Sequence, residues 1–470
     1  MNQNAGPPAG PPELLHLSES VAILPVIHGS GQFAQTVRRW LLEFDFDCVA
    51  VPLPESFRDP VEEAILDLPL PSIVIQRPGM RFGTEELADF QEIGVEEDTS
   101  NDDEEILDSE PVSYVPVDPC QPVVMAIRAA MGEHVKRAYI DLETAPFLPF
   151  STVMPDPFAV RQVSAARFAA AVLPSLPRPA DRQTNERIVH MAWRLAQLRR
   201  KFKRVLCVTS VMHWPWIREA FTQISSEGSA MKHLTLPEHN PVQPAERFAI
   251  DPKTLMFLFG ELPFITGLYE RAREELEDDD DLQIDGVKEL LIAARASYRS
   301  ELKQFARRIT PLHLSKCLQY IRNLSLMSRR MTPDLITIVT AAQQIMGDQY
   351  ALHVAELANQ YGYAGTTEED SPLANLPMVR LGIDQIRFAD GEVTESVNRL
   401  PGPPMIWRTL ELKRKPSRPD TRRWKYQWNP YSQCSYPPED ERIENFRTRV
   451  FDRAKAIVGN DLARTEKFTT

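Results

Sequence analysis

The sequence predicts an α/β fold in which a mostly parallel sheet has helices on both faces, followed by an all-helical region and a β-rich C-terminal segment. Over residues 20–225, short apolar runs alternate with helical patterns. From Pro252 to about Gln360 only helical patterns occur, so we expect a helical domain over residues 226–365. Short strand candidates between Pro- and Gly-rich loops then indicate a β-rich, irregular segment over 366–470. Residues 1–19 are predicted to be a flexible leader.

Each predicted element follows from its hydrophobic pattern. Short apolar runs between turn signals are typical of buried strands, and apolar residues three or four apart are typical of helices. The first region is predicted to contain strands over 21–27, 48–53, 72–76, 112–117, 137–141 and 204–212, and helices over 32–44, 59–68, 122–131, 157–174, 182–203 and from about 215. Later helices are expected over 286–309, 311–328 and 334–360, and later strands over 378–384, 385–388 and 406–412.

The net charge of −13 is concentrated in one stretch of the chain. Residues 91–110 contain ten acidic residues and no Lys or Arg, so we predict a disordered acidic insertion over about 81–110. Residues 412–428 interleave cations with aromatic residues, which could contact nucleic acid. A solvated loop leading into packed Trp side chains is the simpler interpretation, so the sequence gives no strong nucleic-acid signal.

The sequence predicts a cytoplasmic protein without a membrane segment. Its five cysteines are scattered and form no CxxC pair, which favours a reducing compartment. The N-terminus has neither the basic start nor the apolar core of a secretory signal. No window approaches the ~18 apolar residues that a transmembrane helix needs.

Ionisable side chains follow four of the predicted strands. His28 follows the first strand, Glu55 the second, Asp141 and Glu143 a later one, and His213 the last of the first region. In an open parallel sheet, ligands bind beyond the carboxyl ends of the strands. We therefore expect these side chains to lie along one edge of the sheet and to form a site.

Two kinds of chemistry fit such a set of imidazoles and carboxylates. Neutral imidazoles could hold a divalent metal, with His28 and His213 as the candidate ligands. Alternatively, without a metal, a carboxylate could orient a histidine that deprotonates water. Glu186 and His190 lie four residues apart on one helix face and could point into the same cleft.

Several neighbours of these residues are candidates for substrate contact. Gly29, which lets the backbone approach a ligand, and Ser30 follow His28, and Glu143 and His190 could line the same cleft. Each candidate also has a structural interpretation. Asp141 and Glu143 could cap the following segment or pair with Arg137, and Glu55 could cap the next helix.

The order of these motifs resembles the TraB / erythromycin esterase / ChaN-like superfamily, including an uncharacterised bacterial branch, over roughly residues 20–270. The motifs are His28-Gly29-Ser30 after an apolar strand, Ile140-Asp141-Leu142, the helix over 185–192, and His213 after a strand. The resemblance implies a mixed α/β domain with a cleft of paired His and Glu. Members include esterases that use water activated by His and Glu, metal-dependent peptidases and haem-binding proteins.

The resemblance also implies roles for single residues. His28 and His213 match the first and last strand-end histidines, Glu186 the acidic helix residue and Asp141 the strand-end aspartate. The chain departs from the pattern at its second strand, where Glu55 comes two or three residues later than the expected Glu. Ile27 also stands where a second histidine is common.

Two functions are consistent with these features. The first is a cytoplasmic hydrolase of a small molecule or peptide, in which His28 and His213 hold or activate water. Glu186 or Glu55 would be the base, and Asp141 would orient an imidazole. The second is a binding or scaffold protein that keeps the fold without the chemistry, which the late Glu55 favours.

Overall fold

The predicted combination of helices and strands is confirmed by a computed structural model, which describes residues 11–79, 111–150, 152, 154–226, 242–275, 285–303, 306–330, 332–364 and 372–403. The predicted acidic insertion over about 81–110, the strand over 406–412 and the segment 412–428 lie outside the described residues.

The described elements are numbered in chain order. The strands are β1 His16–Ser18, β2 Val21–Val26, β3 Cys48–Val51, β4 Ser72–Gln76, β5 Val112–Val117, β6 Lys136–Tyr139, β7 Val205–Ser210, β8 Glu246–Ile250, β9 Met378–Leu381, β10 Gln385–Arg387 and β11 Val393–Asn398. The helices are α1 Gly31–Glu43, α2 Arg58–Leu66, α3 Pro122–Gly132, α4 Ala159–Gln162, α5 Ala165–Val172, α6 Arg182–Lys201, α7 Trp214–Ser226, α8 Pro263–Glu275, α9 Gly286–Leu302, α10 Pro311–Met327, α11 Leu335–Met346 and α12 Asp348–Ala358.

The first sheet has the strand order β1-β2-β7-β3-β6. The strands β2, β7, β3 and β6 are parallel, and β1, which lies within the predicted leader, pairs antiparallel with β2. Every residue of β2, β3 and β7 is buried, which explains why these strands read as continuous apolar runs. The helix α1 packs on α3, and α6 packs on α7.

The second sheet is a closed barrel with the strand order β10-β11-β5-β4-β8-β9. Here the structure differs from the prediction, because β4 and β5 were expected to belong to the parallel sheet. All of β4 and most of β5 are buried, so they have the same apolar composition as the parallel strands. Their partners come from distant parts of the chain: β4 pairs antiparallel with β8, and β5 pairs in parallel with β11.

The helical region includes α9 to α12, which share an apolar core containing Leu290, Tyr298 and Tyr350. The helix predicted over 334–360 is divided into α11 and α12 at Gly347, whose φ is +91°. Glycine adopts that conformation without steric cost, and it commonly ends a helix. Among the described residues, no helix is both long enough and apolar enough to cross a membrane.

The turn after β2 touches the segment that precedes α8, backbone against backbone. A Cβ on Gly29, whose φ is +69°, would lie 2.8 Å from the Gly260 Cα atom. Asp118, which follows β5, accepts a hydrogen bond from the Gly260 N–H at 3.0 Å. The edge of the parallel sheet, the barrel and the segment leading into α8 therefore meet at one point.

We expect Gly29→Ala to lower the free energy of unfolding by about 1–3 kcal/mol, because the methyl group would lie 2.8 Å from the Gly260 Cα atom and because alanine is strained at a φ of +69°. Gly132→Ala is the control. Gly132 is the last residue of α3, and a Cβ there would meet nothing within 4 Å. Alanine favours helix over glycine, so this control should be neutral or slightly stabilising. Chemical denaturation followed by circular dichroism measures the unfolding free energy of both variants. Equal losses of stability would contradict a stabilising role for the Gly29–Gly260 contact.

Candidate functional site

The carboxyl edge of the parallel sheet brings together three of the residues predicted from the sequence. His28 and Asp141 each come two residues after a strand, and His213 comes three residues after one. The three residues are 3%, 6% and 7% exposed, respectively. His213 and Asp141 lie close enough for the Asp141 charge to affect the pKa of His213. These side chains therefore form a group that is covered by protein.

His28 is held in one tautomer by Gln121. The Gln121 side-chain oxygen lies 3.1 Å from His28 Nδ1 and also accepts the Gly29 N–H, while the Gln121 amide nitrogen donates to the Leu400 carbonyl. An amide oxygen only accepts hydrogen bonds, so His28 Nδ1 carries the proton and Nε2 carries a lone pair. Burial lowers the pKa of His28 to about 4, so the ring is neutral at pH 7.

His213 is also a neutral imidazole, stacked on Phe150 with 6.0 Å between ring centroids. Burial, followed by the Arg187 charge, lowers its pKa to about 3. Its Nε2 atom is buried without a hydrogen-bond partner. Two uncharged rings thus lie near a buried cation, and the environment of both disfavours their protonated forms.

Asp141 is held by Arg187 and does not hydrogen-bond to either imidazole. The Arg187 Nη2 atom lies 2.6 Å and its Nε atom 3.0 Å from the two carboxylate oxygens, and both side chains are almost completely buried. The guanidinium also lies over the Phe147 ring, 4.5 Å from its centroid. This bidentate pairing satisfies both buried charges and fixes the Asp141 carboxylate in place.

A second buried guanidinium, that of Arg399, lies at the same edge. It donates to Ser113 Oγ, to the Gln76 side-chain oxygen and to the Thr144 carbonyl at 2.8–3.0 Å. Its partners are neutral, and burial lowers the pKa of Arg399 to about 10. Arg399 is 3% exposed, and its guanidinium lies over the Phe147 ring, as does that of Arg187.

Neither arginine was predicted from the sequence, although the position of Arg187 is a signal for one of them. Arg187 is four residues before Met191 and eight before Leu195, so it lies on the buried face of α6. A cation on an apolar face needs a buried partner, and a strand-end aspartate could have been proposed for that role. Arg399 follows the undetected strand β11, and we find no sequence signal for it.

The four other candidates have different partners. Glu55 forms an ion pair with Arg58 at 2.9 Å and is more than half exposed. Glu186 forms an ion pair with Arg182 at 2.7 Å, also near the surface. Glu143 accepts hydrogen bonds from the N–H and the hydroxyl of Ser56, both at 2.9 Å, and His190 packs at a tilt on Trp193. In the described structure Glu55 and Glu186 therefore pair with arginines near the surface, and Glu143 pairs with Ser56.

A cavity of about 350 Å³ adjoins this edge. It is lined by two of the four predicted substrate-contact residues, Gly29 and Ser30, by residues 156–158, by several residues within 256–269 and by parts of the helical region. We call it the cleft. His28, Asp141 and His213 are not among the residues that line it, whereas the unpredicted Glu261 is.

Glu261 lies at the N-terminus of α1, where its carboxylate accepts the Gly31 N–H at 3.4 Å. Burial raises its pKa to about 7, and the negative charges of Asp118 and Asp156 add to the rise. The pKa of Asp156, which also lines the cleft, is raised by burial as well. The carboxyl group of Glu261 is thus able to give up or take a proton near neutral pH.

A metal does not fit the predicted ligands. Within the described ranges, no group of three or more His, Cys, Asp or Glu side chains could hold a metal ion. His28 and His213 would need at least one further protein ligand, and the nearby carboxylate of Asp141 is bound by Arg187. We therefore derive no chemical step through a metal.

Comparisons with protein families, with curated proteins and with solved structures found no match to this chain.

We expect Asp141→Asn to cost about 3–5 kcal/mol of unfolding free energy, because it leaves the Arg187 charge buried without a countercharge. Glu186→Gln removes a carboxylate from a solvent-exposed ion pair and should have a much smaller effect. Urea denaturation of both variants, followed by circular dichroism, measures the difference. If both variants lost the same stability, the Asp141–Arg187 pair would not hold the sheet edge together.

Proposed function

We propose that the protein is a cytoplasmic hydrolase whose substrate binds in the cleft and whose Glu261 carboxylate activates water. One observation carries the proposal: a carboxyl group with a pKa of about 7 lines a cavity of about 350 Å³ beside the turn that follows the first parallel strand. Ligand pockets typically have volumes of ~300–1,000 Å³, and open α/β sheets bind ligands at this edge.

In the proposed reaction, the ionised Glu261 removes a proton from water as the water oxygen attacks an electrophilic carbon of the substrate. The same carboxyl group then passes that proton to the leaving group, so that it ends the cycle ionised. The Gly29–Ser30 turn supports the substrate at the cleft wall. His28, with its Nε2 lone pair beside this turn, is the second candidate base.

The resemblance to the TraB / erythromycin esterase / ChaN-like superfamily is part of this proposal. The resemblance implies a cleft of paired His and Glu, which agrees with a reaction that uses a glutamate to activate water. In this chain the glutamate would be Glu261, which lies 230 residues beyond Gly31 in the sequence and contacts it in space. Glu55 and Glu186, which the motif order favours, pair with arginines near the surface.

A binding protein without turnover is the alternative, and one observation favours it. His28, Asp141 and His213 are all buried behind the cleft wall, and Arg187 neutralises the carboxylate that would orient an imidazole. In that case the cleft would bind a small molecule or peptide and release it unchanged.

If Glu261 is the base, kcat/KM should rise with pH and reach half of its maximum near pH 7, because only the ionised carboxylate accepts the proton. A base with the pKa of His28, about 4, would instead be fully active from pH 5 upward. Hydrolysis of p-nitrophenyl butyrate and of leucine p-nitroanilide, measured from pH 5 to pH 9, separates the two.

Glu261→Gln should lower kcat/KM by ~10²–10⁴-fold, which is typical for loss of a general base. Glu186→Gln is the control, since it changes a carboxylate outside the cleft. Turnover that survives in Glu261→Gln and is lost in His28→Gln would assign the reaction to His28. Absence of turnover with every substrate in a broad ester, amide and phosphate panel would favour the binding protein.

A further inference from the structure

The cleft combines apolar walls with an excess of carboxylates. Its apolar lining includes Phe158, Met256, Phe259, Ile265, Tyr269 and Ile336. Four carboxylates also line it, those of Asp156, Glu261, Asp285 and Asp334. Such walls suit a ligand with a hydrophobic body, and the carboxylates favour a positive charge on it.

Two cations lie in or beside the cleft, and neither neutralises Glu261. Arg330 forms an ion pair with Asp334 at 3.6 Å. Arg161 lies over the Phe158 ring, 5.6 Å from its centroid, and its charge affects Tyr269. No cation contributes to the pKa shift of Glu261, and within the described part of the chain Glu261 forms no ion pair.

The acidic side chains of the cleft differ in how well they are satisfied. Asp156 accepts the Phe158 N–H, Asp285 accepts the Lys288 N–H, and Asp334 accepts the Thr337 N–H, each in a short local turn or helix cap. Glu261 has one backbone contact, the long one to Gly31 at 3.4 Å. Of these four hydrogen bonds, the one to Glu261 is the longest, so its carboxylate is the one held most weakly by the protein backbone.

Ser30 supplies an independent indication of a ligand. It is 2% exposed and lines the cleft, yet its Oγ atom has no hydrogen-bond partner. It occupies the N-cap position of α1 but does not cap the helix with its side chain. A buried hydroxyl without a partner costs free energy, and a ligand that donates to it would remove that cost.

We propose that the cleft binds a primary ammonium group attached to an apolar, aromatic-sized body, with Glu261 and Ser30 as the two acceptors for its N–H groups. The inference rests on the proposed function in using the same cleft and the same Glu261 carboxylate, and it names the substrate class. An ammonium group has three N–H donors and a full charge, so it satisfies the Glu261 carboxylate and the Ser30 hydroxyl together. The apolar lining covers the remainder of the molecule.

The charge environment of Glu261 agrees with this ligand. Its carboxyl is surrounded by the acidic Asp118 and Asp156 and by Tyr269 and Cys120, whose pKa values are also raised. A bound ammonium favours the ionised carboxylate, so binding below pH 7 should be accompanied by proton release. Affinity should then increase about tenfold between pH 6 and pH 8.

A charge series on one molecular body tests the proposal by calorimetry on the full-length chain at pH 8. Tryptamine carries an ammonium, indole-3-ethanol is neutral, and indole-3-propionate is an anion. We expect tryptamine to bind at least tenfold more tightly than the alcohol, and the anion to bind weakest. N,N,N-trimethyltryptammonium, whose ammonium group keeps the charge but has no N–H to donate, should bind less tightly than tryptamine.

Glu261→Gln should remove the preference for tryptamine over indole-3-ethanol and the pH dependence, whereas Glu186→Gln should change neither. Equal affinity for tryptamine and the alcohol, or no binding of tryptamine, would overturn the proposal. The comparison of tryptamine with indole-3-ethanol needs only the unmodified chain. It does not depend on turnover, because tryptamine has no hydrolysable bond. Failure of the proposed hydrolase with tryptamine still bound would leave the ligand class intact.

Discussion

The close approach of two glycine backbones, Gly29 and Gly260, is the constraint on which the rest of the site depends. It brings the turn after the first parallel strand against the segment that leads into α8, with no side chain between them. Glu261 follows directly and is delivered to the N-terminus of α1, where the helix dipole and the Gly31 N–H favour a carboxylate. A larger residue at either glycine would separate the cleft from the sheet edge.

Electrostatics divide the sheet edge into two compartments. Behind the cleft wall, Asp141 is paired with Arg187, and the imidazoles of His28 and His213 are neutral. The buried Arg399 guanidinium is held there by neutral hydrogen-bond acceptors. In the cleft, carboxyl groups crowd together and Glu261 has no countercharge among the described residues. The buried compartment is therefore suited to holding structure, and the cleft is suited to exchanging a proton or binding a cation.

Much of the local structure could be predicted from the sequence, because hydrophobic periodicity reports burial. Residues 21–27 and 48–53 read as buried strands, and α6 as an amphipathic helix, and all three are present. Sheet membership could not be predicted in this way, since β4 is as completely buried as β2. The position of a strand end predicted that His28 and Asp141 would share an edge. It could not predict Glu261 or Arg399, which reach that edge through contacts with distant parts of the sequence.

The barrel has a consequence for how this protein is made on the ribosome. Its strand β5 pairs in parallel with β11, so that Val112 lies opposite Ser396. One side of β5 therefore has no partner until almost three hundred further residues have been synthesised, and a parallel pairing of this kind forms slowly. An unpaired strand edge in a nascent chain is a site of incorrect association. The antiparallel partner β4 covers only the other side of β5, so the edge that pairs with β11 stays open to such association until the C-terminal strands have been synthesised.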